Sequence, residues 1–282
     1  MSSSTHGYRH EPATGRWAVL PRDLLVEVFL KLGPREVMLG AEFACRAWRC
    51  AALEEPSLWR RVGREQPIDK TWRWVSFAVE SAMSSAAVDR AAGQCEEFTG
   101  SFYDEEVILL VQRAPFLKSL SVVHYSQYES GAYLVVALQK LTVLEDLQIY
   151  FEYGLGSYQD MLESVCEACP QLKKLVLNYA SAFQLGLDED DEYRKEPIDG
   201  PIPVMRNLHT LELDECDLSC NGLNAILDSC PLLQTLSIYG YFNQREMGKE
   251  LRKKCARVKN LNLLNRSSPN IDKHYDNYRD GI

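Results

Sequence analysis

The stretch LPRDLLVEVFLKLGPREVMLGAEFACRAWRCAALEEPSLWRRV, residues 20–62, decides how the rest of the chain is organised. It predicts three short helices that begin at Pro21, Pro34 and Pro56, because proline suits the first helical position. The first helix carries a wide apolar face at helical spacing, formed by Leu24, Leu25, Val28, Phe29 and Leu32. About 40 residues rarely bury so much apolar surface against themselves. We therefore expect another protein to cover part of it.

Several motifs of this stretch together resemble an F-box. They are the opening Leu20-Pro21, the apolar spacing of the first helix, the run CRAWR at residues 45–49 and the closing PSLW at 56–59. The departures are small, since Gly33-Pro34 stands where many members have Leu-Pro and Ala44 stands where Val is commoner. The alternative is a helical hairpin buried in the protein's own core. We call residues 17–66 the F-box segment.

Composition narrows the classes of function. At 282 residues and 46% hydrophobic, the chain can bury a substantial core. A net charge of −9 and a pI of about 5.2 argue against a general nucleic-acid binder and against binding to an anionic membrane. The polar start MSSSTHGYRHEP lacks the apolar core of a signal peptide. We expect the nucleus or the cytoplasm, where the nine cysteines remain reduced thiols.

A repeated L-x-x-L-x-L frame follows the F-box segment. Its six copies begin at Leu117, Leu144, Leu172, Leu208, Leu233 and Val258, in steps of 27, 28, 36, 25 and 25 residues. Leucine-rich repeats have periods of about 20–29 residues, so only one step is enlarged by an insertion. A weaker first copy is expected near residues 88–98. Apolar segments between the frames predict outer helices at 107–110, 133–138, 161–165 and 223–227.

The predicted fold class is therefore α/β, with an N-terminal three-helix F-box followed by a short leucine-rich-repeat solenoid that has parallel strands inside and helices outside. The predicted organisation is a disordered leader (1–16), the F-box segment (17–66), a helical connector (67–87), six to seven repeats (88–265) with an acidic insertion (184–203), and a polar tail (266–282). The acidic block at 188–192 is interpreted as a solvated loop, with a docking patch for a basic substrate as the alternative.

Two pairs of cysteines have a spacing that is typical of zinc ligands, Cys166 with Cys169 and Cys216 with Cys220. However, Cys169, Cys230 and Cys255 each lie three residues before a frame start, and Ala114 holds the same place in an earlier copy. A small residue that recurs at one repeat position favours packing between helix and strand. We therefore predict no metal site and no cofactor. Because no catalytic motif is present, we also predict no catalytic residues and no enzyme.

The repeats resemble the cysteine-containing leucine-rich repeats of small plant F-box proteins, and the composite resemblance covers about residues 20–264. It implies the substrate receptor of an SCF-type ubiquitin ligase, which binds a Skp-type adaptor and, through it, a cullin–RING ligase. The adaptor-binding residues implied are Leu20, Pro21, Leu24, Leu25, Val28, Phe29, Leu32, Pro56, Leu58 and Trp59. The alternative is a repeat scaffold that binds a partner without any ligase. The target protein is not identified by the sequence.

The concave side of the solenoid is predicted to be polar and only weakly charged, which makes it a poor source of binding energy by itself. The residues two and four after each frame start are expected to face it: Ser119, Ser121, Asp146, Gln148, Lys174, Val176, Thr210, Glu212, Thr235, Ser237, Asn260 and Asn262. Aromatic residues follow just beyond the strands and predict a binding rim: Tyr125, Tyr150, Phe151, Tyr179, Tyr239 and Tyr241. The alternative is that these aromatic rings pack against their own loops.

Overall fold

A computed structural model of the protein describes residues 16–63, 77–103, 106–126, 132–151, 157–180 and 196–265. Apart from Arg16, the predicted leader lies outside these ranges, as do residues 67–76 of the connector, the acidic block and the polar tail. Within the described residues, no helix combines the length and the apolar character needed to cross a membrane.

The F-box segment begins with α1 (Arg22–Leu32), α2 (Pro34–Leu39) and α3 (Arg46–Glu54). Gly33 separates α1 from α2 with a φ of 84°, a conformation that glycine adopts without a Cβ clash. One predicted helix start is wrong: the third helix begins at Arg46, and Pro56 begins only a 3₁₀ turn, Pro56–Trp59. The second helix ends at Leu39, because glycine at position 40 disfavours its continuation.

In the described residues, one sheet of eight parallel strands runs in chain order from the end of the F-box segment to the last repeat. Its strands are β1 (Arg61–Val62), β2 (Glu97–Tyr103), β3 (Ser119–Ser126), β4 (Asp146–Phe151), β5 (Lys174–Tyr179), β6 (Thr210–Asp214), β7 (Thr235–Gly240) and β8 (Asn260–Asn265). The six predicted frames supply β3 to β8, and their leucines pair in register from Leu120 to Leu261. The predicted fold class is confirmed.

In the described residues, helices connect all successive strands except β5 and β6, and most neighbouring helices pack against each other. They are α4 (Phe77–Arg90), α5 (Glu106–Arg113), α6 (Ala132–Leu138), α7 (Tyr158–Ala168), α8 (Cys220–Ser229) and α9 (Lys249–Cys255). Each of the four predicted outer helices corresponds to one of them. Residues 196–209, the described end of the enlarged step, contain no helix, and Ile198 forms a single bridge to Leu218.

The frame residues form a buried core that continues into the F-box segment. Cys169 and Cys230 cap the C-terminal ends of α7 and α8, and Ala114 directly follows α5. All three are buried, so the recurring small residue lies where a helix meets the next strand. Burial raises the pKa of both thiols to about 12, because a thiolate loses its hydration there.

The F-box segment and the repeats share a continuous structure. β1 lies inside the F-box segment and pairs with β2, through Arg61 with Glu97 and Val62 with Phe98. Gly63 follows with a φ of 122°, and a Cβ there would lie 2.1 Å from a backbone oxygen of β2. Only glycine therefore fits this close approach.

A buried ion pair adds a second connection between the two regions. The Arg90 guanidinium at the end of α4 donates to the Glu42 carboxylate at 2.7 and 3.4 Å. The same guanidinium lies 4.9 Å from the ring centre of Trp59. Because Glu42 and Trp59 both belong to the F-box segment, Arg90 fixes α4 against it.

Candidate functional site: an apolar row on the F-box helices

The wide apolar face of α1 divides into a buried side and an exposed side. Leu25 and Phe29 are 2% and 1% exposed and point into the core, whereas Leu24 and Leu32 are 49% and 40% exposed. Val28 is half-buried and continues the exposed side at four-residue spacing, and the half-buried Leu20 lies just before the helix. Residues four apart on a helix are neighbours on its surface. We call Leu20, Leu24, Val28 and Leu32 the F-box apolar row.

Exposed large hydrophobic side chains are concentrated in this region. Among the described residues, eight lie in the F-box segment: Trp17, Val19, Leu24, Leu30, Leu32, Leu39, Phe43 and Leu53. Ten others are spread over the much longer remainder of the described chain. Single exposed apolar residues are normal, but such a concentration is typical of surfaces through which proteins interact.

Ion pairs bring two distant parts of the predicted adaptor site together. Arg22, at the start of α1, lies 3.0 Å from Glu54 and 3.7 Å from Glu55. Glu55 immediately precedes Pro56, so the exposed Pro21 and the half-buried Pro56 lie at the same end of the helical group. These pairs are exposed and contribute little free energy. They matter here because they show that these two parts of the chain lie close together.

Four of the predicted adaptor contacts require correction. Leu25, Phe29, Leu58 and Trp59 are between 0% and 6% exposed and form the core of the F-box segment itself. The Trp59 indole Nε1 also donates to the Ala52 carbonyl at 3.0 Å. Because these side chains are enclosed by their own chain, they hold the helices that carry the apolar row and do not lie on the contact surface. The helical periodicity alone does not separate these two roles.

The second candidate surface is the concave face of the sheet. The predicted residues lie there in two registered rows: one runs from Ser119 through Lys174 to Asn260, and the other from Ser121 through Val176 to Asn262. All are exposed or half-buried apart from Val176 and Ser237. The concave face is thus predominantly polar, as predicted.

The predicted aromatic rim is wrong for three of its six members. Tyr125, Phe151 and Tyr179 are at most 5% exposed and stack inside the solenoid. The Phe151 ring centre lies 4.9 Å from Tyr179 and 6.0 Å from Tyr125, and Tyr158 contacts Tyr179 from α7 at 4.6 Å. Because side chains alternate between the two faces of a strand, a ring one residue further along points inward.

The other predicted tyrosines remain accessible. Tyr150 and Tyr239 are half-buried, and Tyr241 is 52% exposed beyond β7. Strand pairing aligns Tyr150 with Asn178, then Asp214, then Tyr239. We call these four residues the tyrosine row; its member Asp214 is buried, whereas the other three are half-buried. Its two central members were missed by the sequence analysis, although both lie six residues after a frame start, the position that Tyr150 and Tyr239 also hold.

Comparison with known proteins agrees with this architecture. The family model F-box-like matches residues 17–65. The F-box protein SKIP19 of Arabidopsis thaliana is 31% identical over 264 residues, which cover 91% of this chain and 80% of that protein. "Putative F-box/LRR-repeat protein 23" of the same plant is 31% identical over 255 residues, 89% of this chain, and the match spans only 54% of that relative's length.

The F-box helices and the parallel repeat sheet define the class, an F-box protein with leucine-rich repeats. With the similarity of nearly its whole length to plant relatives, the chain belongs to the plant F-box/LRR-repeat family.

Proposed function

We propose that this protein is the substrate receptor of an SCF-type ubiquitin ligase. The F-box segment binds a Skp-type adaptor, the adaptor connects it to a cullin–RING ligase, and the repeats hold a target protein. The observation that carries the proposal is the F-box apolar row, because Leu24 and Leu32 expose apolar surface next to a completed core. Full burial of a leucine contributes about 1.5–3 kcal/mol, and covering the part of Leu24 or Leu32 that is still exposed contributes roughly half of that.

In this proposal the chain is not a catalyst. Ubiquitin transfer is performed by the recruited ligase, and this protein contributes binding and position. Its location is the nucleus or the cytoplasm. All nine cysteines lie in described residues and are free thiols, which fits a reducing compartment.

The target surface in this proposal is the concave face, with the tyrosine row as its anchor. A tyrosine provides a large contact area together with a hydroxyl group, and Tyr150 and Tyr239 lie on either side of the polar Asn178 and Asp214. Loss of target capture by the variant Tyr150→Ala with Tyr239→Ala, at unchanged adaptor binding, tests this surface.

The decisive experiment concerns the adaptor. The double variant Leu24→Asp with Leu32→Asp places two charges in the apolar row, and we expect a loss of adaptor affinity of at least about 100-fold, as for interface anchors. Isothermal titration with a purified Skp-type adaptor measures it. The matched control is Leu109→Asp with Val136→Asp, which alters two similarly exposed residues (49% and 47%) on the outer helices.

The control should retain adaptor affinity, and both variants should keep the circular dichroism spectrum of the parent. Wild-type affinity of the Leu24 and Leu32 variant would remove the proposal.

One observation favours the second candidate function, a repeat scaffold without a ligase. Pairing of β1 with β2 makes the F-box helices an end cap of the sheet, which any repeat array needs. A scaffold of this kind is monodisperse without adaptor and does not bind it. The same titration therefore separates the two functions.

A further inference from the structure

The last repeat is strongly basic in a chain that is acidic overall. Residues 245–259 contain seven Lys and Arg and only two Glu, whereas the whole chain has a net charge of −9. The seven are Arg245, Lys249, Arg252, Lys253, Lys254, Arg257 and Lys259. A cluster of positive charges produces a local positive potential, which attracts anionic groups.

Four of these cations are exposed on α9 or next to it. Leu251 and Cys255 are buried, so their side of α9 faces the core. Lys249 and Lys253 lie four residues apart on the opposite side of the helix. Arg245 lies before the helix and Arg257 after it, and both are exposed. We call Arg245, Lys249, Lys253 and Arg257 the basic ridge. Among the described residues, none of these four side chains forms an ion pair.

The other three cations serve the fold of the repeat. Lys254 binds Asp228 of α8 at 2.6 Å, and Arg252 donates to the carbonyl oxygens of Met247 and Gln244 at 3.1 and 3.2 Å. Lys259 binds Gln234 at 3.3 Å. The ridge is therefore the part of the basic cluster that structural contacts leave accessible.

A cleft adjoins the ridge at its Arg245 end. It has a volume of about 400 Å³, and its apolar walls are Tyr241, Phe242, Leu263 and Leu264. Arg245 lines it as well and so belongs to both features. The cleft is an open surface depression, and its exposed apolar side chains, Tyr241 and Leu264, can contact one apolar side chain of a ligand.

Two hydrogen bonds fix the cleft relative to α9. Arg252 of the helix donates to the Gln244 carbonyl, and the Gln244 side-chain amide donates to the Leu263 carbonyl of β8 at 3.1 Å. The loop that carries Arg245 is thus tied both to the basic helix and to the last strand. Cleft and ridge form one preorganised surface.

We propose that this surface binds an acidic protein segment that carries a bulky apolar side chain, with the apolar side chain in the cleft and the carboxylates along the basic ridge. The seven residues of α9 span about 10 Å. At about 3.3 Å per extended residue, three or four residues of the segment cover the helix.

The charge distribution favours a short acidic segment over a nucleic acid or an anionic membrane. Those ligands present extended negative charge, which would also meet the acidic remainder of the chain and be repelled by it. A short segment meets the ridge alone. The inference goes beyond the proposed function, because this surface lies at the opposite end of the sheet from the F-box segment and needs no adaptor.

The test measures fluorescence anisotropy of a labelled synthetic peptide, rich in Asp and Glu with one Phe, against the full chain. We expect saturable binding that weakens with added salt and at least about tenfold with the variant Lys249→Glu and Lys253→Glu. The matched control Lys140→Glu with Arg206→Glu makes the same change of net charge at two exposed residues elsewhere and should bind within about twofold of the parent. A peptide with Ser in place of Phe should bind more weakly than the parent peptide, since it leaves the cleft empty.

The inference is overturned by equal losses in the ridge variant and its control, by equal binding of the Phe and Ser peptides, by the absence of saturable binding, or by tighter binding of a short oligonucleotide or of anionic vesicles. Titration of the adaptor with the same ridge variant should be unchanged. A loss of adaptor binding in that titration would count against the proposed function, whereas the inference drawn here depends only on the peptide titrations.

Discussion

The N-terminal helices and the repeats differ in how completely their apolar side chains are buried. Each inner strand of the repeats has a neighbour on both sides, so residues such as Leu147 and Leu211 are at most 1% exposed. The helix α1 packs on one side only, and Leu24 and Leu32 remain in water. The repeats thus complete their own core, whereas the F-box segment leaves part of its apolar surface exposed.

The largest expected effect concerns stability, and it compares a buried with an exposed tryptophan of the F-box segment. Trp59→Ala removes a fully buried indole, its hydrogen bond to Ala52 and its contact with Arg90. We expect a loss of about 3–5 kcal/mol in the free energy of unfolding, measured by urea denaturation. Any loss of adaptor binding by this variant would then follow from unfolding of the helices.

Trp17→Ala is the matched control, since Trp17 is 66% exposed. It should change the free energy of unfolding by less than about 1 kcal/mol. Similar losses for the two tryptophan variants would contradict the division into core and surface.

The next prediction compares the stability lost when a ring is removed from the buried face and from the concave face of the repeats. Tyr179→Ala removes a ring that stacks on Phe151 and contacts Tyr158, so we expect a loss of about 3 kcal/mol in the free energy of unfolding. Tyr239→Ala, on the concave face, should cost less than about 1 kcal/mol. Thermal unfolding of both variants measures this, and equal losses would show that the concave tyrosine is structural as well.

The last prediction compares the reactivity of thiols in the two regions and involves no change in stability. Cys50 of α3 is exposed, whereas Cys169 and Cys230 are buried and have a pKa raised to about 12 by desolvation. A raised pKa keeps a thiol neutral at pH 8, and the thiolate is the form that reacts. Iodoacetamide should therefore label Cys50 and spare the other two, as followed by peptide mass spectrometry. Rapid labelling of Cys169 in the folded protein would refute the packing role assigned to it.

Much of the fold is predictable because the repeat frame is written directly in the sequence. The spacing of Leu144, Leu172 and Leu208 defines strands that pair in register even across the enlarged step. In the same way, the residues two and four after each start lie on the concave face. A frame of this kind specifies both the strand and the face, because strand side chains alternate strictly.

The errors arise where neighbouring positions have opposite roles. Tyr150 and Phe151 are adjacent in sequence, yet one lies on the concave face and the other in the core. Tyr125 joins the buried set because the register of β3 shifts before it. On α1, Leu24 and Leu25 are separated in the same manner by one step around the helix. Periodicity gives the apolar width of a helix, but the packing partner decides which edge of it is buried.

The junction made by β1, Gly63 and Arg90 has a consequence for the geometry of ubiquitination under the proposed function. A flexible tether would let the target explore a large volume, and its effective concentration at the ligase would fall as that volume grows. Here the sheet itself begins in the F-box segment, so the target's distance from the adaptor is set by packing. Mapping of ubiquitinated lysines on a captured target should give a narrow set. The receptor would then select which lysines are modified as well as which protein is bound.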